Sequence, residues 1–150
     1  MSYRERFSTY FAREVAERAA RPLSDGVEIE LKIGDERLTF TRNGGRNEVR
    51  DGAARDPQVV FSLTPKAADA ILDDPAAEIG TIGVNIGKLI VSSDPGIKVG
   101  LQLKAGLMSL WNKGYFGVIG AGGAQFAGFL ASKGLNGIGA IKEAVKKMKA

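Results

Sequence analysis

Four carboxylates, Asp69, Asp73, Asp74 and Glu78, lie close together in the sequence and are the residues best spaced for chemistry. Paired carboxylates can run general acid–base catalysis when an apolar pocket raises the pKa of one of them beside an oxyanion donor. The neighbouring sequence supplies no such combination, so the cluster reads as the solvated end of a helix. The chain has no cysteine and no histidine. Disulfides, thiolate zinc sites and Ser–His or Cys–His nucleophile systems are therefore excluded, and the commonest metal ligand is missing. Gly120-x-Gly122 is the nearest approach to a nucleotide-binding loop, but the third glycine is not at its required spacing and no Lys-Ser or Lys-Thr pair follows. No catalytic residue, metal site or cofactor is assigned.

The sequence departs most from an ordinary soluble domain near its C-terminus. Within "KGYFGVIGAGGAQFAGFLASKG", residues 114–132 carry no charge, against 25% charged residues in the whole chain. The stretch is too short and too rich in glycine to span a bilayer as one helix. On a helix, Gly120, Ala124, Gly128 and Ser132 recur every four positions as a smooth stripe, flanked by Phe126, Phe129 and Leu130. Small residues allow close approach of another backbone or leave room for something else. The stripe suits contact with a ligand, a membrane surface or another subunit; a tightly packed terminal helix is the plain alternative.

The net charge of +4 is concentrated in the last 18 residues, which hold five lysines and one acid; residues 1–132 balance at 16 basic and 16 acidic side chains. Lys142, Lys146, Lys147 and Lys149 would face away from Leu135, Ile138, Ile141, Val145 and Met148 on an amphipathic helix. The tail has no arginine and no aromatic residue among these lysines, which argues against nucleic acid. An anionic membrane surface suits it better.

The elements that would position these groups follow from periodicity. Ser2 and Glu5 form a capping signal, and Phe7, Tyr10, Phe11, Val15 and Ala19 share a helical face ahead of Pro22. That face packs on a core, or turns to a membrane or partner. "VEIELKIG" alternates, with Val27, Ile29, Leu31 and Ile33 opposite Glu28, Glu30 and Lys32, as in a half-buried strand. "RLTFTR" continues the alternation, Asn43-Gly44-Gly45 marks a hairpin, and "RNEVRD" reads as a polar edge strand. "PQVVFSLT" is a further strand. Thr64-Pro65 starts a short helix with Ala68, Ile71 and Leu72 inward. Ile79, Ile82 and Ile86 fit no single period, and "GKLIVSS" reads as a strand. Residues 95–110 stay ambiguous: Ile97, Val99, Leu101 and Leu103 alternate, while length and Leu107, Met108, Leu110 and Trp111 favour a helix. The order predicts an α+β domain with helices on one face of a mostly antiparallel sheet. A chain of 150 residues suits one domain, with an N-terminal helix over 1–22, a core over 26–113 and a glycine-rich, basic helical segment over 114–150. The charged N-terminus is unlike a signal peptide, so a cytoplasmic location is expected.

The block "PQVVFSLTPKAADAILDDPAAEIGTIGVNIGKLIVSSDPGIKVGLQLKAGL" resembles the sterol carrier protein 2 family. The pattern is a strand (Val59–Leu63), a short helix (Pro65–Leu72), a glycine-led strand over 87–91 ending near Asp94, and an apolar helix from Ile97 to Leu107. The resemblance implies a five-stranded sheet with helices on one side, enclosing an apolar tunnel for a lipid, sterol or fatty acyl ligand, and it makes the ambiguous stretch helical. It also gives the C-terminal segment the role of a lid. Ser93 before Asp94, and the glycine-interrupted stretch from Ile79 to Ile86, depart from the family pattern.

On that basis the cavity wall is expected from Phe61, Leu63, Ile71, Ile82, Ile86, Leu89, Val91, Leu101, Leu107, Trp111, Phe116, Phe126 and Phe129. Binding needs no catalytic group: each buried methylene is worth about 0.8 kcal/mol, so a sixteen-carbon tail gains on the order of 10 kcal/mol before ordering costs. The four tail lysines would give weak, salt-sensitive docking on anionic membranes. The competing expectation is an interaction module that dimerises, or binds a partner protein, through the small-residue stripe without any ligand.

Overall fold

The computed structural model describes residues 2–120, an α+β arrangement of one five-stranded sheet and six helices among those residues. The strands are β1 (Glu28–Ile33), β2 (Glu36–Asn43), β3 (Arg46–Asp51), β4 (Val59–Leu63) and β5 (Val99–Leu103), in the spatial order β3-β2-β1-β4-β5. The β1–β2, β2–β3 and β4–β5 pairings are antiparallel and the β1–β4 pairing is parallel, so the sheet is mixed. The sheet has five strands, as expected, but the strand expected over 87–91 is not among them and Val99–Leu103 is.

The first three strands form a meander through two-residue turns. Gly34 opens the first turn at φ 59°, and Gly44 and Gly45 make the second at φ 60° and 78°. A side chain at those angles would be strained, which is why the hairpin signal was legible in the sequence. β4 returns beside β1 rather than beside β3, in register from Ile29 with Val59 to Ile33 with Leu63.

Alternation gives the sheet two unlike faces. One face offers Leu31, Ile33, Leu38, Phe40, Val49 and Leu63, all buried against Phe7 and Tyr10 of α1 (Tyr3–Ala12) and Ala67, Ala68 and Ile71 of α3 (Pro65–Leu72). The opposite face carries Glu28, Glu30, Lys32 and Thr39. The segment 52–57 folds across part of it. Ala54 N donates to Glu30 Oε1 (3.1 Å), Arg55 N and Asp56 N donate to Glu28 (3.4 and 3.1 Å), and Thr39 Oγ1 donates to Gly52 O (3.0 Å). Glu30 is thereby 5% exposed; its remaining neighbours are Lys32 Nζ at 3.9 Å and Arg37 Nη1 at 3.7 Å. A carboxylate can stay this deep because an amide and two cations compensate it.

The predicted helix starts hold. Ser2 Oγ accepts from Glu5 N (3.2 Å), and Thr64 Oγ1 accepts from Ala67 N (3.3 Å) with Pro65 in the first turn. The expected helix over 1–22 is instead two helices, α1 and α2 (Glu14–Ala20), separated by Arg13 in an extended conformation (φ −64°, ψ 149°). The break lets each half bury its own face, Phe7 and Tyr10 in α1, Val15 and Ala20 in α2.

Two expectations over the middle of the chain are corrected. The strand expected at "GKLIVSS" is the last turn of a helix, α4 (Ile79–Ile90). Ile79, Ile82, Ile86 and Leu89 step by three, four and three, which is helical spacing. Three glycines in α4 cost roughly 1 kcal/mol each relative to alanine; packing of the half-buried isoleucine face offsets part of that cost. The second correction is the helix that the resemblance placed from Ile97 to Leu107. The segment Val99–Leu103 is β5, and only Leu107–Asn112 is helical, as α5. The open edge of β4 accounts for this, because it pairs with the alternating residues from Val99 to Leu103. α6 (Tyr115–Gly120) follows a turn at Gly114, φ 90°.

Candidate functional site

Helices α1, α2, α3 and α4 do not fill the space over the apolar face of the sheet. They leave a cavity of about 260 Å³, just below the usual range for small-molecule pockets. The sheet floor supplies Ile29, Leu31, Phe40, Phe61, Leu63 and Val99. α3 and α4 supply Ile71, Ile79, Ile82 and Ile86. α1, α2 and the loop after them supply Phe7, Tyr10, Phe11, Val15, Ala16, Ala19, Ala20 and Leu23. Among the described residues Arg13 is the one charged side chain in the wall. The chemistry open to such a space is dispersion and exclusion of water.

Local sequence explains each contribution. In β4, Phe61 and Leu63 point to the helix side because Val60 and Ser62 take the alternate positions. In α2, Ala16, Ala19 and Ala20 present no bulk beyond Cβ, so the helix closes the wall without filling the space. The rings of Phe7, Tyr10, Phe11 and Phe40 form a continuous edge, with centroids 6.3 Å apart for Phe7–Tyr10, 5.2 Å for Tyr10–Phe11 and 4.8 Å for Phe11–Phe40.

A second cavity of about 270 Å³ adjoins the first and shares Tyr10, Ile71 and Ile86 with it. Ala70, Leu89, Asp73, Asp74 and Asn85 complete its wall. Its carboxylates have structural partners. Asp74 caps Ala76 N (3.0 Å) and accepts from Asn85 Nδ2 (2.9 Å), while Asp73 receives Arg6 Nη2 at 3.4 Å. Asp69 accepts from Tyr3 Oη (3.1 Å) and Arg6 Nη1 (2.8 Å). The carboxylate cluster thus ties α3 to α1 and α4. Among the described residues, no group of three or more Asp, Glu, His or Cys could hold a metal ion.

Arg13 lines the larger cavity beside Tyr10, which lines both. Its Nε donates to Tyr10 O (3.1 Å), its Nη1 donates to Ala76 O (3.3 Å), and its guanidinium carbon lies 4.3 Å from the Tyr10 ring centre. Burial raises the pKa of the Tyr10 phenol; the Arg13 charge opposes that rise and Asp74 adds to it.

Five of the expected wall residues, Phe61, Leu63, Ile71, Ile82 and Ile86, meet at the larger cavity. Leu89 lines the smaller one with Ile71 and Ile86. Leu101 sits half-buried on the same sheet face, opposite Phe61 in register, but Val99 takes the wall position on that strand. Val91 and Trp111 are corrections. Val91 caps the C-terminus of α4 and is 51% exposed, because the residues before it are helical rather than extended. Trp111 is 61% exposed on α5, where Leu110 takes the buried position. The side chains of Leu107 and Phe116, and all of Phe126, Phe129, Lys142, Lys146, Lys147 and Lys149, lie outside the described residues.

The contribution of α1 and α2 to the wall was not foreseen. The signal was available in the face of Phe7, Tyr10, Phe11, Val15 and Ala19, but periodicity does not distinguish a face packed on a core from one packed around a void. Arg13 lies off that face, where one continuous helix would turn it to solvent. No helix among the described residues is long and apolar enough to cross a membrane. No family model, curated protein or solved structure matches the chain.

Proposed function

We propose that this chain binds a long-chain hydrophobic ligand between sheet and helices and carries it without chemical change, as its resemblance to the sterol carrier protein 2 family implies. The two cavities, which share Tyr10, Ile71 and Ile86, join as one tunnel when occupied. The observation that carries the reading is the cavity of about 260 Å³, walled by aliphatic and aromatic side chains apart from Arg13. A folded interior normally closes such a space; leaving it open sacrifices dispersion contacts that a hydrocarbon chain would restore. The five-stranded sheet with helices over its apolar face also supports the reading.

Ligand exchange takes place at an anionic membrane surface, through the lysines of the tail and the outward side of α5. Met108 and Trp111, three residues apart on α5, are 74% and 61% exposed, and side chains of this kind favour the interface of a bilayer.

Native mass spectrometry of the gently purified protein, followed by solvent extraction, tests the proposal. A co-purifying lipid at one per chain, lost in an Ile82→Trp variant that fills the cavity, is the expected result. A chain that carries nothing, takes up no long-chain ligand, and forms a stable dimer instead would favour the interaction-module reading.

A further inference from the structure

The two edges of the sheet are unlike. At one, β3 carries Arg46, Glu48, Arg50 and Asp51 along its length, and α1 packs across it. Charge of this kind blocks pairing with a further strand. At the other, β5 runs Val99, Gly100, Leu101, Gln102, Leu103 and carries no charge. It is the last strand in the spatial order, so one side of it faces no strand.

The bonds to β4 decide which groups line that side. Thr64 N donates to Lys98 O (3.1 Å), and Lys104 N donates to Gln58 O (2.9 Å). Lys98, Gly100, Gln102 and Lys104 therefore turn their backbone groups toward β4, and the N–H and C=O groups of Val99, Leu101 and Leu103 point away from it. Those outward groups have no hydrogen-bond partner among the described residues. The side chains of Val99, Leu101 and Leu103 lie half-buried on the helix-covered face, beside Leu63, Phe61 and Val59. Lys98 and Lys104 bracket the strand and are exposed; alternation puts both on the other face.

We infer that β5 docks an extended acidic segment of a partner protein, which adds antiparallel to it as a sixth strand. Main-chain bonds to Val99, Leu101 and Leu103 hold the segment, apolar side chains at alternate positions continue the covered face, and two acidic residues at matching spacing pair with Lys98 and Lys104. In that alignment the lysines take non-hydrogen-bonded positions, where side chains of neighbouring strands come closest. The lysines also disfavour other occupants. Two copies of β5 paired about Leu101 would set Lys98 of each against Lys104 of the other, like charge facing like charge. Residues 121–150 hold one acidic side chain, Glu143, too few to pair with both lysines. Docking at β5 needs no ligand in the cavity.

The test uses the whole chain and two fluorescent seven-residue peptides, each alternating valine and threonine between end residues that are glutamate in one and lysine in the other. Anisotropy titration should show the glutamate peptide binding at least about tenfold tighter, since two cross-strand charge pairs attract rather than repel. The double variant Lys98→Glu/Lys104→Glu, altered only at exposed side chains, should reverse that preference. N-methylation of the central valine, which faces Leu101 in this alignment, should weaken binding by about tenfold. Amide exchange at Val99, Leu101 and Leu103 should be fast in the free protein and slow once the peptide is bound. Binding of neither peptide, equal binding of both, or indifference to N-methylation overturns the inference. Slow exchange at these amides without peptide also overturns it: protection that rises with protein concentration makes a second copy the occupant, and protection independent of concentration makes it the chain itself.

Discussion

Arg42 and Glu17 join strand β2 to helix α2: Nη1 lies 2.7 Å from Oε1, with the arginine side chain 5% exposed and the glutamate 29%. Arg42 occupies the helix-covered face of the sheet, in line with Leu38 and Phe40. The same Nη1 donates to Asn47 Oδ1 (2.7 Å), Nη2 donates to Gly45 O (2.8 Å), and the buried Nε has no partner among the described residues. Asn47 N returns a bond to Glu17 Oε2 (3.0 Å), and its Nδ2 donates to Phe11 O (2.9 Å). Glu17→Ala leaves a buried cation with only neutral acceptors. It should lower stability by about 2–3 kcal/mol, since breaking a buried pair costs 3–5 and this one is partly exposed. The double variant Glu17→Met/Arg42→Met should recover much of the loss in urea denaturation, because no charge is left stranded.

Gly114 closes the turn between α5 and α6 at φ 90°, and a Cβ there would collide with the Pro22 carbonyl. Ser24 N donates to Lys113 O (3.0 Å) at the same junction. Gly114→Ala should cost more than about 2 kcal/mol, from strain plus the clash. Gly26 has a similar φ of 85° with open space around it. Gly26→Ala should therefore cost only about 1–2 kcal/mol. Thermal unfolding of both variants separates conformation from contact.

Asp94 holds the connection between α4 and β5. Its Oδ2 receives Lys66 Nζ at 2.6 Å and its Oδ1 receives Gly96 N at 2.8 Å. The Lys66 bond first, and the Gly96 amide second, hold its pKa below the usual 3.8. A lowered carboxylate pKa stabilises the fold above the unfolded value, and that contribution is lost as pH falls through the folded value. Asp94→Asn should thus be less stable than the parent at neutral pH, with the gap shrinking below about pH 4. Denaturant midpoints across that range check it.

Tyr115 Oη donates to Gln58 Oε1 (3.1 Å), an acceptor that also serves Glu28 N (2.7 Å). Burial first, and the Glu28 charge second, push the Tyr115 phenol well above its usual 10.0. A phenol raised on folding contributes stability that is complete below the unfolded value and is lost as pH rises through the folded one. Tyrosinate absorbance from Tyr115 should therefore appear late in an alkaline titration, together with unfolding. Tyr115→Phe should remove the late component and cost about 0.5–1.5 kcal/mol, the net worth of one hydrogen bond.

The sequence made the meander legible because its signals are local: alternation in β1 and β2, paired glycines at the hairpin, and a hydroxyl cap with proline at α3. It left β5 undecided, since the alternation of Val99, Leu101 and Leu103 was visible but its conformation depends on the free edge of β4, a partner distant in sequence. α4 was missed for a related reason, since its glycines argue against a helix until its isoleucines have a wall to pack on. At the site, Phe61, Leu63, Ile71, Ile82 and Ile86 line the larger cavity, although the helix that carries the last two was not expected. Arg13 was hidden because a charged residue within an expected single helix looks solvated, and the break between α1 and α2 is what brings it against Tyr10. Trp111 shows the reverse: an aromatic residue expected inside lies mostly outside, since α5 needs only Leu110 to dock.

The strand order carries a consequence for synthesis. β1, β2 and β3 are contiguous, so a nascent chain released to about residue 51 can zip its meander and lay α1 across β3. α3, α4, β4 and β5 have not yet emerged at that point. Leu31 and the adjoining apolar floor must therefore wait, partly bare, for the rest of the chain to arrive. This interval is when a folding helper would protect the protein and when crowding would harm it most.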